Sequence, residues 1–382
     1  MRNRILPLRG GDGTTDGHRS RKRLRSPAVR LEDVARAAGV STATVSRTLN
    51  TPDGVSIDVR ARVLATVERL GYLPHGAARA LSSQRSRTVG VILPTIDNAM
   101  FARGIHALQK HLAERGYLML LAITEYDPEV EYRQARNLVS RGAEALVLRG
   151  DAHVDALRRL LAQTQIPFVN VGVYHPEKQY ASVGIDNARV AFEATRHLIG
   201  LGHVDIGMLA AICRHNDRAA GRLAGFRKAL RSARLPMPAT WVKESAYDVD
   251  AACQAASAIL GLKNRPTALV CSNDVLAYGA LLAAERLGIT VPRELSVIGF
   301  GDLAMSRHTH PPLTTVHIPI DEVWIRGGDF LLRRLAGESP PLHYEVPVSL
   351  VARESTGRPP PRPRSTSVTP VRARNGGKRA RP

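Results

Sequence analysis

Cysteine is scarce, with three in 382 residues. Cys213, Cys253 and Cys271 are odd in number and too widely spaced for a zinc knuckle or a redox pair. They read as reduced, structural side chains, and no metal and no cofactor is expected. Long apolar runs are also missing: the longest stretch, around Leu118 to Ile123, is far short of the ~18 residues of a membrane-spanning helix. The first residues are charged, with only Ile5 to Leu8 apolar, so the hydrophobic segment of a secretory signal is not expected and the cytoplasm is the expected compartment. Catalytic signatures are absent too. There is no G-x-S-x-G elbow, no phosphate-binding loop, no metal-ligand spacing and no Rossmann glycine pattern after the first strand, so an enzyme is not expected. His203 reads as structural.

Acidic residues are outnumbered, 34 against 54 Lys and Arg, for a net charge of +20. The excess is unevenly placed. Residues 1–30 carry +7, residues 31–87 carry +3 and residues 356–382 carry +8, leaving +2 for residues 88–355. Basic ends on a near-neutral body suit a polyanionic partner, because each phosphate neutralised by Lys or Arg releases condensed counterions. A solvated Arg- and Pro-rich tail gives the same count, and that is the preferred reading of the C-terminal end.

With 44% apolar and 23% charged residues, the chain can bury cores in two or three domains. Residues 1–29 and 356–382 lack apolar periodicity and read as disordered basic extensions. Residues 30–74 hold three helical patterns and no strand. Leu31, Val34, Ala35 and Ala38 share one face and Gly39 ends the first helix. Ser41 is placed to cap a second helix with Val45 and Leu49 inward, and Ser56 to cap a third, with Val59, Val63, Val67 and Leu70 in one stripe. Two short helices joined at a glycine make a helix-turn-helix, which leaves Thr42, Ala43, Thr44 and Arg47 facing outward. Arg47 can grip guanine O6 and N7, Thr42 and Ala43 can meet base edges or a thymine methyl, and Thr44 or Ser46 can hold phosphate. Residues 75–87 form a linker containing Pro74's follow-on segment HGAARALSSQRSR. From Thr88 to residue 355, β-branched runs (TVGVIL, LMLLAI, ALVL, PFVNV, DIGMLA, TALVC, LSVIGF) alternate with amphipathic stretches. That pattern predicts βαβ units in two similar lobes, with a ligand cleft at the carboxyl ends of the strands.

The run LEDVARAAGVSTATVSRTLN, followed by RARV and LGYLPHGAARAL, closely resembles the LacI/GalR family of transcriptional regulators. The likeness continues through TVGVILPTIDNAMF, GIDN, RHLIGLGHVDIGML, GRLAGFRKAL, SNDVLAYGAL, SVIGF and PPLTTVHIP, and covers about residues 30 to 355. It implies an N-terminal all-α helix-turn-helix domain and a two-lobed α/β body like the type I periplasmic binding proteins, housing an effector site and a dimer interface. The expected partners are therefore a pseudo-palindromic double-stranded operator, a small-molecule effector and a second copy of the chain. By the same resemblance residues 75–87 hold a hinge helix, with Leu81 wedging into the minor groove and Ala77, Ala78 and Ala80 as its small face. Arg222 matches the arginine that contacts the effector, Tyr247 an aromatic that stacks on it, and Asn98, Phe101 and Asn273 line the cleft. Asp274 either lines the cleft or N-caps its helix. Gly301 stands where many members carry the first of two aspartates, leaving Asp302, and NAMF replaces the usual Asn-Pro-aromatic-Phe wall. The run GFGDLAMSRHTHPPLTTV resembles the gluconate-repressor branch, whose effectors are sugar acids, and His308 and His310 offer further donors. The competing expectations are an architectural DNA-binding protein driven by its tails and a solute receptor of the same two-lobed fold.

Overall fold

The computed structural model describes residues 29–50, 52–73 and 85–361. The chain divides into two compact units, Met1–Arg85 and Ser86–Pro382.

In the first unit, α1 (Leu31–Ala38), α2 (Thr42–Asn50) and α3 (Ile57–Leu70) enclose a small core. Val34, Ala35, Ala38, Val45 and Val63 are buried at its centre, with Leu31, Leu49, Val59, Val67 and Leu70 packed around them. Gly39 and Gly71 end α1 and α3 at φ 64° and 60°, the left-handed conformation in which a Cβ is costly. Ser41 caps α2 through its Oγ, which accepts from the Thr44 amide at 3.1 Å. Ser56 occupies the N-cap position of α3, but its side chain makes no capping bond, so that expectation fails in detail.

The second unit contains two six-stranded sheets. The N-lobe sheet comprises β1 (Thr88–Leu93), β2 (Leu118–Ile123), β3 (Ala145–Arg149), β4 (Phe168–Val171), β5 (Ser182–Gly184) and β11 (His343–Glu345) in the order β11-β5-β4-β3-β1-β2. All its neighbours are parallel. The C-lobe sheet comprises β6 (Ile206–Ala211), β7 (Val242–Ser245), β8 (Ala268–Cys271), β9 (Ser296–Gly301), β10 (Thr314–His317) and β12 (Ser349–Val351) in the order β12-β10-β9-β8-β6-β7. Only β12 runs antiparallel to its neighbour. Every residue of β1, β6, β8 and β9 is buried, which is why these segments read as continuous apolar runs rather than alternating ones.

Helices α4 (Ala99–Ala113), α5 (Pro128–Ser140), α6 (Asp155–Thr164) and α11 (Ile320–Leu335) pack on the N-lobe. Helices α7 (Asn187–Gly200), α8 (Asp217–Ser232), α9 (Val249–Leu260) and α10 (Asp274–Arg286) pack on the C-lobe. The chain passes from the N-lobe to the C-lobe between β5 and α7, returns between β10 and α11, and crosses a third time between β11 and β12.

The body runs past residue 355. Ser355 Oγ donates to Val297 O, Gly357 N donates to Ser296 Oγ at 3.0 Å, and Thr314 and Thr356 share a hydroxyl hydrogen bond of 2.9 Å. His203, wholly buried, joins this seam through Thr267, Ser296 and the Gly357 carbonyl. Thr356 and Gly357 are therefore part of the body, where composition assigned them to the tail.

Candidate nucleic-acid interface and effector cleft

On α2, Thr42, Ala43 and Arg47 are exposed, while Thr44 and Ser46 are half-buried. Val45 and Thr48 turn inward, and the Thr48 hydroxyl donates to the Thr44 carbonyl at 2.8 Å. Ser41 and Thr44 share a hydroxyl hydrogen bond of 2.9 Å, and Ser46 Oγ accepts from Asn50 Nδ2 at 3.3 Å. Thus the hydroxyls of Thr44 and Ser46, expected to hold phosphate, already serve the helix itself. Thr42, Ala43 and Arg47, expected to meet base edges, lie on the exposed side of α2. Ala77, Ala78, Ala80 and Leu81 lie outside the described residues.

In the body, the expected effector residues all follow carboxyl ends of strands, the position where open α/β sheets bind ligands. Asn98 and Phe101 follow β1, Arg222 lies on α8 after β6, Tyr247 follows β7, Asn273 follows β8 and Asp302 follows β9. A narrow inner chamber is walled by Met100, Ile185, Ile318, Ile320 and Val323, and its only charged walls are Arg149 and Arg222. Further out, Tyr126, His215, Asn216 and Tyr247 line a mouth of about 640 Å³, a size ordinary for small-molecule sites. Tyr126 of the N-lobe and Tyr247 of the C-lobe stack across this mouth, ring centres 6.4 Å apart.

Arg222 is 7% exposed. Its Nε donates to Asn187 Oδ1 at 3.0 Å, its Nη1 donates to the Ser272 carbonyl, and its guanidinium lies 5.1 Å over the Phe300 ring. Arg149, the last residue of β3, donates Nη1 to the Val171 carbonyl at 2.7 Å and lies 5.2 Å over the Phe101 ring. Burial, with the nearby charge of Arg218, pulls the Arg149 pKa down to about 9, and burial lowers that of Arg222. Both keep their protons at neutral pH. Three buried polar atoms in this region have no hydrogen-bond partner: Arg149 Nε, Ser272 Oγ and Tyr126 Oη. Tyr126 neighbours the Arg218 guanidinium, yet no bond of good geometry forms, and burial raises its pKa.

The lobes are also joined between the end of β3 and the start of α8. Asp217 Oδ2 accepts from the Asp151 amide at 2.6 Å, and Arg218 Nη1 donates to Asp217 Oδ1 at 2.8 Å and to the Arg149 carbonyl at 3.0 Å. Gly150 leaves room for this latch: a Cβ there would stand 1.9 Å from Arg218 Nη1 and 2.5 Å from Asp217 Oδ1.

Several expected ligand contacts are otherwise engaged. Asn98 Oδ1 caps α4 by accepting from Met100 N at 3.0 Å, and Asn273 Oδ1 caps α10 by accepting from Leu276 N at 2.9 Å. Asn273, not Asp274, is thus the helix cap. Asp274 is buried, which raises its pKa, and accepts from the Thr315 and Ser306 hydroxyls and the Leu303 amide. Both carboxylate oxygens of Asp302 are taken, one by Arg353 at 2.6 Å and the other by His317 at 3.0 Å. These partners outweigh burial and hold its pKa below the ordinary carboxylate value. His308 and His310 are exposed. Phe101 serves as a platform beneath Arg149. The sequence reading missed Arg149, Arg218 and Tyr126. It ended the third strand at ALVL, one residue before Arg149, although the carboxyl-end rule itself points there.

Among the described residues no helix is long and apolar enough to cross a membrane, and no cluster of His, Cys, Asp and Glu could hold a metal ion. A three-helix reader carried on the same chain as a two-lobed body with a cleft at the carboxyl ends of its strands is the architecture of an effector-binding DNA-binding regulator. Residues 30–75 match the bacterial regulatory proteins of the lacI family, and residues 195–356 match the periplasmic binding protein-like domain. The chain is 30% identical over 333 residues to the HTH-type transcriptional repressor PurR of Klebsiella pneumoniae (strain 342), covering 86% of this chain and 97% of that protein. A structure of the lac repressor dimer bound to operator and the anti-inducer ONPF aligns with TM-score 0.78 at 27% identity, over 86% of this chain and 99% of that one. The transcription regulator GntR from Chromobacterium violaceum aligns with TM-score 0.67 at 29% identity, over 70% and 99%. The chain belongs to the LacI family. It is a sequence-specific DNA-binding transcriptional repressor of that type, with an effector-binding domain, and its relatives are regulators rather than enzymes.

Proposed function

We propose that this repressor is controlled by a small hydroxylated anion, a sugar acid such as gluconate, bound in the cleft of the body. The observation that carries this reading is that Arg222 is buried and Arg149 half-buried with its Nε shut off from solvent, and that both are hydrogen-bonded only to neutral oxygens. Neither forms an ion pair with a carboxylate among the described residues. An uncompensated buried charge costs on the order of several kcal/mol, which an anionic ligand offsets. Five fixed donors make arginine well suited to a carboxylate, and the unpartnered Ser272 and Tyr126 hydroxyls suit a polyol chain.

Binding of D-gluconate, D-glucarate and neutral D-glucitol by calorimetry tests this. The acids bind and glucitol does not, and Arg222→Ala abolishes the response to the acids while operator binding persists. Equal binding of glucitol refutes the anionic effector.

On DNA, Arg47, Thr42 and Ala43 read base edges of a pseudo-palindromic operator, and two copies of the chain supply its two half-sites. The edge strand β2, with Leu118, Leu120 and Leu121 exposed, supports a homodimer. Sedimentation of the full chain as a monomer at micromolar concentration, with and without operator, refutes it.

A further inference from the structure

We infer that Arg149 and Arg222 form one anion clamp spanning the two lobes, in which the effector's acid group is the shared counter-ion that lets the lobes close on each other. The inference rests on the reading of the cleft as an anion site, and it assigns Arg149 as a specificity-determining residue.

The two guanidiniums come from opposite lobes. Arg149 leaves the end of β3 in the N-lobe and Arg222 projects from α8 of the C-lobe, and both wall the same inner chamber. The rest of that chamber is apolar or glycine, so nothing in it screens one charge from the other. The charge of Arg222 is one of those that lower the Arg149 pKa, in keeping with this proximity.

Nearby carboxylates act on them only at a distance, Asp217 on Arg149 and Asp274 on Arg222, and none pairs directly with either guanidinium. Asp217 is bonded to Arg218 and the Asp151 amide, Asp274 is saturated by Thr315, Ser306 and Leu303 N, and Asp302 is held by Arg353 and His317. The backbone is shaped around Arg149. Gly172 sits at φ 85°, and a Cβ there would fall 1.2 Å from Arg149 Nη1, so the space a side chain would occupy is kept for the guanidinium. Its Nε, buried and unpartnered, remains as a donor.

Two like charges held in an apolar chamber repel strongly because little water screens them. Without a ligand this repulsion opposes the approach of the lobes. A carboxylate between the guanidiniums turns that repulsion into two attractions, and a neutral polyol of the same shape leaves both charges bare. Selectivity for the acid thus arises from what a neutral ligand fails to cancel.

Thermal melting and calorimetry of the full-length protein test the clamp, with Arg149→Met, Arg222→Met, the double variant and Arg149→Lys, and with D-gluconate and D-glucitol as probes. Ligand-free Arg149→Met melts about 2–4 °C above wild type, and the gain is smaller in the Arg222→Met background, where only the repulsion from Arg218 is left to relieve. Arg149→Lys keeps the charge and shows no such gain. Gluconate affinity falls at least tenfold in Arg149→Met. An unchanged gluconate affinity, or a melting shift that is the same with and without Arg222, overturns the clamp. Should neither gluconate nor glucarate bind wild type, the sugar-acid reading fails, and the ligand-free comparison of the four variants still decides whether the two arginines are coupled.

Discussion

The latch at Gly150 offers a direct perturbation of the lobe arrangement. A Cβ at this position would lie 1.9 Å from Arg218 Nη1 and 2.5 Å from Asp217 Oδ1, and the residue has φ 82°. In Gly150→Ala the cheapest relief is for the Arg218 and Asp217 side chains to swing away, which breaks the Asp217 bond to the Asp151 amide and the Arg218 bond to the Arg149 carbonyl. Hydrogen bonds to charged groups contribute about 1.5–3 kcal/mol each, so the two together disfavour the joined arrangement by about 3–6 kcal/mol. The left-handed strain of alanine adds roughly 1 kcal/mol whether or not the lobes meet, so it lowers overall stability without shifting that balance. The backbone amide of Asp151 reports the outcome. Hydrogen exchange at that amide should accelerate by two orders of magnitude or more, while the amides of β6 and β8, interior to the C-lobe sheet, keep their protection relative to global unfolding. Unchanged protection at Asp151 would show that the latch does not hold the lobes and that its short bonds are incidental to their approach.

Two other outcomes follow from the sites described. Arg47→Ala should cost about 1–3 kcal/mol on the cognate operator and little on random DNA; in fluorescence anisotropy, equal losses on both would remove it from base reading. His153 is buried with Nδ1 2.8 Å from Glu131 Oε2 and Nε2 3.2 Å from Asn170 Oδ1, so both ring nitrogens face acceptors. Burial lowers its pKa, but the Glu131 bond and charge outweigh burial and leave it above the ordinary value of 6.5. The stabilisation is therefore fully present below pH 6.5 and is lost as pH rises through the raised folded value. Melting temperature should fall between pH 6 and pH 8 by more in wild type than in Glu131→Gln, and an identical pH profile for the two would refute the pairing.

The fully buried strands were legible because both of their faces are covered, so that β1, β6, β8 and β9 read as largely apolar runs. Strands β5, β11 and β12 have three residues each, too short for any period to register, and the four residues of β7 (VKES) and β10 (TTVH) include polar side chains that break an apolar run. The reader was legible for a related reason: Gly39 and Gly71 stop its helices, and the spacing of Val34, Ala35, Ala38 and Val45 turns one face inward. Side-chain roles were harder. Asn98 and Asn273 have the same chemistry whether they cap a helix or meet a ligand, and sequence does not say where Oδ1 points. Asp302 was a reasonable ligand contact until Arg353, 51 residues further on, proved to hold it. Arg149 was hidden at the boundary between a strand, which was noticed, and the residue after it, which was not.

The threefold crossing between lobes has a consequence for synthesis. The N-lobe sheet takes its last strand, β11, from residues 343–345, and α11 from residues 320–335, both made after β6 to β10 of the other lobe. A growing chain therefore finishes its three helices for DNA within the first 73 residues, while the sensor lobe begun at residue 88 waits more than two hundred residues for its missing edge. Because domains fold as units in the order they emerge, a chain that stops anywhere in that interval carries a finished reader and an unfinished sensor. Any DNA binding retained by such a fragment would be deaf to the effector, so control over this repressor arrives only with the end of the chain.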